Sequence, residues 1–159
     1  MGARLDRLKE RLFKGGYETY LGLWYTLTSR WQYGTNVYDR DWDVLLVLDA
    51  CRVDALEAVA DEYDFLTDIE TVTSVGSHSM EWIANTFTSG HAGDIRQTAY
   101  LTANTHAEKI LSNQEVPPRD GWDPTLSWPD WNTVRSEAFT HVEYAWNGGF
   151  DDRLGNVPP

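Results

Sequence analysis

Five apolar residues run without a polar break from Val44 to Leu48, with Asp41 and Asp43 before them and Asp49 directly after. An unbroken run of that length predicts a strand covered on both faces, as inside a parallel sheet. From Val53 the apolar positions shift to Val53, Leu56, Val59 or Ala60 and Tyr63, a helical stripe, so the period changes from two to 3.6 at Asp49. The expectation is strand, acidic turn, helix, with Asp49 at the strand's carboxyl end. Ligands of open α/β sheets bind at that edge, where a carboxylate can hold a metal or a substrate; the same residue can also simply cap the helix that follows.

Before this stretch, Leu5, Leu8 and Leu12 share one helical face, with Arg4, Arg7, Lys9, Arg11 and Lys14 around them, and Gly15-Gly16 is expected to stop the helix. Such a basic amphipathic helix can lie on a membrane or dock on its own domain. A second helix is expected from about Tyr17 to Trp31, packed beside the sheet and closed by Gly34-Thr35-Asn36. After the central unit, the alternation in Ile69-Glu70-Thr71-Val72-Thr73 predicts a short strand or extended segment. Small hydroxylated residues from Ser74 to Ser79 then precede Met80, Ile83, Ala84 and Phe87, the pattern of a capped turn feeding a helix. Thr98 to Thr102 predicts a further parallel strand, Asn104-Thr105-His106 opens a short helix through Leu111, and His141 to Trp146 reads as a last strand. The β, α, β, α order points to an α/β fold, a mostly parallel sheet flanked by helices. Val116 to Trp131 has no sustained period and reads as a long loop; its Trp122, Trp128 and Trp131 could stack on sugar rings or anchor the loop.

At 159 residues the chain suffices for one domain with a real core. Its net charge of -12, from 15 Asp and 10 Glu against 10 Arg and 3 Lys, argues against a nucleic-acid partner. An acid-rich, lysine-poor surface also suits concentrated salt, and folding is expected to strengthen as salt screens the carboxylates. The lone Cys51 excludes an intrachain disulfide and is expected to pack as a small hydrophobe against the strand. Neither a membrane span nor a secretory leader is indicated, which makes the cytoplasm the expected location.

The four histidines, His78, His91, His106 and His141, form no metal-binding pair, and no P-loop, GxGxxG or GxSxG elbow occurs, since Gly76-Ser77-His78-Ser79 lacks the final glycine. What remains is Asp49 after the central strand and Ser77 or Ser79 at the start of a later helix. Successive crossovers in a parallel sheet would bring them to one edge, where a helix N-terminus and a cation both help a hydroxyl act as a nucleophile. Either serine can instead be an ordinary N-cap.

The stretches Trp42 to Asp54, Ser74 to Trp82, Tyr100 to Asn104, and Tyr144 to Pro159 resemble the N-terminal part of haloarchaeal sulfatase-like proteins, in the alkaline phosphatase/sulfatase superfamily. The resemblance implies that residues 35–159 are the N-terminal portion of a sulfatase-like α/β domain, with residues 1–34 as helices packed on it. It implies Asp49 as a ligand of a divalent cation (Ca, Mg, Mn or Zn) and Ser79, or alternatively Ser77, as the nucleophile toward a small-molecule or glycan sulfate or phosphate ester. Sulfatases proper carry a Cys-x-Pro-x-Arg segment, which is Ser77-His78-Ser79-Met80-Glu81 here, so hydroxyl chemistry is expected in place of formylglycine. The family's Asp-His ligands come from a C-terminal half that this sequence does not include. The chain alone is therefore expected to be inactive, and the alternatives are a non-catalytic remnant serving as a binding module or a carbohydrate-binding domain using the Trp-rich loop.

Overall fold

The computed structural model describes residues 2–48, 51–67, 69–118 and 126–149. Helix α1 spans Gly2–Thr28 without interruption, where the sequence pattern suggested two helices parted at Gly15-Gly16. Each glycine costs about 1 kcal/mol relative to alanine inside a helix, but neither is driven out of the helical region. Around the pair, Thr19 Oγ1 donates to the Gly15 carbonyl at 2.8 Å and Lys14 meets Glu18 at 3.7 Å, so the turn is bridged on both sides. Burial within α1 falls in its second half, where Gly22, Tyr25 and Thr28 are buried, whereas residues 6–17 are all exposed.

After α1 the chain turns at Gly34, whose φ of 79° favours glycine and where a Cβ would stand 2.5 Å from the Ser74 carbonyl oxygen. The next amide, Thr35 N, donates to the Thr73 carbonyl at 2.9 Å. Asn36 is fully buried and stitches this turn to the centre: its Nδ2 donates to the Asn85 and Thr86 carbonyls, both at 3.1 Å, while its Oδ1 accepts from Tyr38 N and caps a 3-10 turn over Val37–Asp39.

The expected central strand is absent. Val44, Leu45, Leu46, Val47 and Leu48 are irregular backbone, exposed by 77, 40, 77, 65 and 64%, and no described strand runs beside them. A strand has no hydrogen bonds of its own; without a neighbour's ladder and a covering layer, an apolar run does not become one. Cys51, expected to pack against that strand, is exposed for the same reason. Ile69 to Thr73 likewise forms no ladder. The helix after the turn does form, as α2 over Val53–Val59, continued by a 3-10 turn over Ala60–Glu62, and stays on the surface.

The hydrophobic core cluster is built by the second half of the chain. Helix α3, Ser79–Thr86, places Met80, Ile83 and Ala84 on one stripe continued by Phe87, and packs on α5, Thr105–Ala107, and the π-helical turn Glu108–Ser112 that extends it. Between them come the short α4, Ala92–Ile95, and strand β1, Ala99–Thr102. The chain returns as β2, His141–Tyr144, which pairs parallel with β1 from Ala99↔His141 to Thr102↔Tyr144, and α6, Trp146–Gly149, follows. Both strands and the helix after Asn104 match the sequence pattern. Ile83, Ala84, Phe87, Ile95, Ala107, Ile110, Leu111 and Phe139 form the core, and the Phe87 ring meets those of Tyr100 at 4.9 Å and Phe139 at 5.1 Å. The described residues thus form a mixed α/β architecture, helices around a two-stranded parallel sheet. Among the described residues no helix is long and apolar enough to cross a membrane.

Candidate functional site

The turn into α3 is built on a close approach. A Cβ at Gly76 would stand 2.2 Å from Trp82 N, so only glycine lets the incoming chain lie against the helix. Ser74 Oγ ties the bend locally, accepting from Gly76 N at 3.2 Å and donating to the Gly76 carbonyl at 2.8 Å. The helix then starts at Ser79, with His78 as N-cap in extended geometry and its Nδ1 accepting from Glu81 N at 3.5 Å. The His78 Nε2 shares a hydrogen bond of 2.8 Å with the Tyr25 hydroxyl, which ties α3 to α1.

Glu81, three residues past the cap, is completely buried. Its Oε1 accepts from Trp24 Nε1 at 3.0 Å, and its Oε2 accepts from Ser77 N at 2.8 Å, from the Ser77 hydroxyl at 2.6 Å and, at 3.5 Å, from the Tyr33 hydroxyl. Desolvation pushes its pKa up, but the Ser77 hydroxyl and amide outweigh it with other nearby groups, and the carboxyl is held below its ordinary value. The same carboxylate acts back on Tyr33: burial first, then the charge of Glu81, pushes that phenol up to about 12.

The two serines therefore differ. Ser77 is bound through hydroxyl and amide to an ionised carboxylate that many donors hold in place, a poor proton acceptor. Ser79, at the first helical position, has no hydrogen bond from its hydroxyl to any described residue. It lies on the wall of a cavity of about 330 Å³ between α1, α3 and α5, with Tyr17, Leu21, Tyr25, His78, Met80, His106 and Pro117 as the other lining residues. The third position singled out by sequence, Asp49, falls outside the described residues, as does Trp122 of the Trp-rich loop. Trp131 anchors its part of that loop by donating from Nε1 to the Pro117 carbonyl at 2.6 Å, while Trp128 is largely exposed; the two build no common stacking platform in the described part. Among the described residues no three His, Cys, Asp or Glu side chains converge as a metal site.

Sequence reasoning missed Glu81, Tyr25 and His106. For Glu81 a signal exists, a carboxylate three residues after a helix cap, which commonly turns back on the preceding turn; for the other two only the fold supplies the neighbourhood. Comparison of the chain with protein-family models, with curated proteins and with solved structures gives no match.

Proposed function

We propose that this chain carries the nucleophile-bearing part of a hydrolase or transferase acting on sulfate or phosphate esters, with Ser79 as the attacking residue. The observation that carries the reading is the setting of Ser79: a hydroxyl without a partner among the described residues, at the first position of α3, on the wall of a cavity. The resemblance of Ser74 to Trp82 to sulfatase-like proteins gives the reading its substrate class. A helix N-terminus offers free N–H groups and the positive end of the dipole to the oxygens of a tetrahedral anion. In the reaction, the Ser79 oxygen bonds to phosphorus or sulfur while the ester bond breaks, and the serine proton passes through water or a cavity imidazole to the departing alkoxide. Water then cleaves the seryl ester, or another hydroxyl takes the group.

The test is incubation of the purified chain with p-nitrophenyl phosphate and p-nitrophenyl sulfate, with Mg, Ca, Mn or Zn present, followed by peptide mass mapping. Without turnover, which is not expected of this chain alone, the expected result is a single stoichiometric release of nitrophenol and an adduct on Ser79, absent in Ser79→Ala at unchanged melting temperature. Ser77→Ala keeps the adduct and loses about 1.5–3 kcal/mol of stability, the worth of a charge-assisted hydrogen bond. An adduct on Ser77 would reverse the assignment of the nucleophile. No adduct with any cation would leave the non-catalytic binding role, which the exposure of Val44 to Leu48 favours.

A further inference from the structure

Helix α1 is amphipathic in an unusual sense: its apolar stripe faces away from the body. Leu8, Leu12, Tyr20, Leu23 and Leu27 are exposed by 55, 68, 59, 44 and 61%, and Phe13 beside them by 79%. At 3.6 residues per turn the first five fall within an arc of about 120°, and the stripe from Leu8 to Leu27 is about 28 Å long. The buried positions Gly22, Tyr25 and Thr28 lie on the opposite arc, so the body packs there, against Leu21 and Tyr25 among others, and leaves the stripe from Leu8 to Leu27 exposed. By helical rotation Arg7, Arg11 and Lys14 continue that arc toward the N-terminus, where it turns basic.

Charge is segregated along the chain in the same way. Residues 1–16 hold five basic side chains against two acidic ones, while the remainder holds eight against twenty-three. From this we infer that α1 is a membrane-surface helix that lies on an anionic phospholipid bilayer, its apolar stripe in the acyl boundary and its basic side chains among the headgroups. Lys9 chooses between a bilayer and a second copy of the chain. By helical rotation it falls inside the apolar arc, where pairing of two such stripes would bury its ammonium among leucines, whereas at a lipid surface its stem lies on the apolar side and its charge reaches a phosphate. A nucleic acid would use the charges and leave Leu8, Leu12 and Phe13 in water. The basic end meeting anionic lipid also keeps the acidic body on the solvent side.

Flotation of the full chain with vesicles of phosphatidylcholine alone, and of equal parts phosphatidylcholine and phosphatidylglycerol, tests this. The chain is expected to float with the anionic vesicles and far less with the neutral ones. Leu8→Asp with Leu12→Asp should cut partitioning roughly tenfold or more, because two buried leucines are lost. Lys9→Glu with Arg11→Glu should bring anionic binding down to the neutral level. Both double variants should melt like the parent, since residues 6–17 are exposed in the free protein. No flotation with either vesicle overturns the inference. So does anionic binding that survives the leucine variant, which would mark a purely electrostatic contact, or a dimer in light scattering that the leucine variant splits, which would make a second copy the occupant.

Discussion

Val44 to Leu48 and Met80 to Phe87 are both rich in large apolar side chains, yet the first run is 40–77% exposed and Met80, Ile83, Ala84 and Phe87 of the second only 1–8%. The difference lies in what each can secure locally. Helix α3 closes its own backbone hydrogen bonds and needs only one face covered, which α5 and its extension supply within thirty residues through Ala107, Ile110 and Leu111. A strand closes none of its bonds alone, and an all-apolar one needs cover on both faces. Hydrophobicity says that a segment gains by burial; it does not provide the partner.

The largest expected effect lies in the packed half. Phe87→Ala removes a ring that touches Tyr100 and Phe139 and sits 4% exposed, and should cost about 3–5 kcal/mol in urea or thermal unfolding. A loss below about 1 kcal/mol would mean that the aromatic cluster is not the stabilising centre, and the contrast between the two regions would collapse.

Glu81→Gln comes next, at about 1.5–3 kcal/mol, because the amide keeps the shape of the side chain but loses the charge that Trp24 and Ser77 point at. Its pH signature separates charge from shape. The folded pKa of Glu81 lies below its ordinary value of 4.5, so its contribution is complete above that value and is lost as the pH falls through the folded one. The variant should therefore lose less stability than the parent on acidification. Parallel acid limbs would place the ionised carboxylate outside the energetics of the turn.

Tyr33 gives the alkaline counterpart. With a folded pKa of about 12 against an ordinary 10.0, its contribution is complete below pH 10 and declines as the pH rises toward 12. Tyr33→Phe should flatten the stability profile in that window, measured by melts in a buffer series, with little change at neutral pH because the bond to Glu81 is long at 3.5 Å. A profile unchanged by the substitution would show that the phenol titrates in water.

How far the fold could be read in advance follows the same divide. Helix α3, the short helix after Asn104 and the strands β1 and β2 were legible because capping residues and periodicity are local signals. The continuity of α1 was not, since two glycines weaken a helix without ending it when neighbouring turns bridge them. The serine turn was legible as a turn, but the choice between Ser77 and Ser79 was not a matter of their own types. It depends on Glu81, whose carboxylate reads in a helix as a surface group until Trp24 and Tyr33, 57 and 48 residues away, close over it.

The smallest expected effect is the sharpest test of the comparison. Leu46 is 77% exposed, so Leu46→Asn should leave stability within about ±0.5 kcal/mol of the parent, as for other surface positions without partners. If the run is unpartnered in solution, the same substitution should also reduce concentration-dependent association, because five exposed apolar residues in extended backbone offer another chain an apolar edge. The two readouts together decide the matter. A loss of 2 kcal/mol or more, at concentrations where the chain is monomeric, would mean that Leu46 is covered by the chain itself and that the run does become a buried strand. An unchanged melting point with reduced association would show a segment whose sequence asks for a sheet and whose own fold does not supply one.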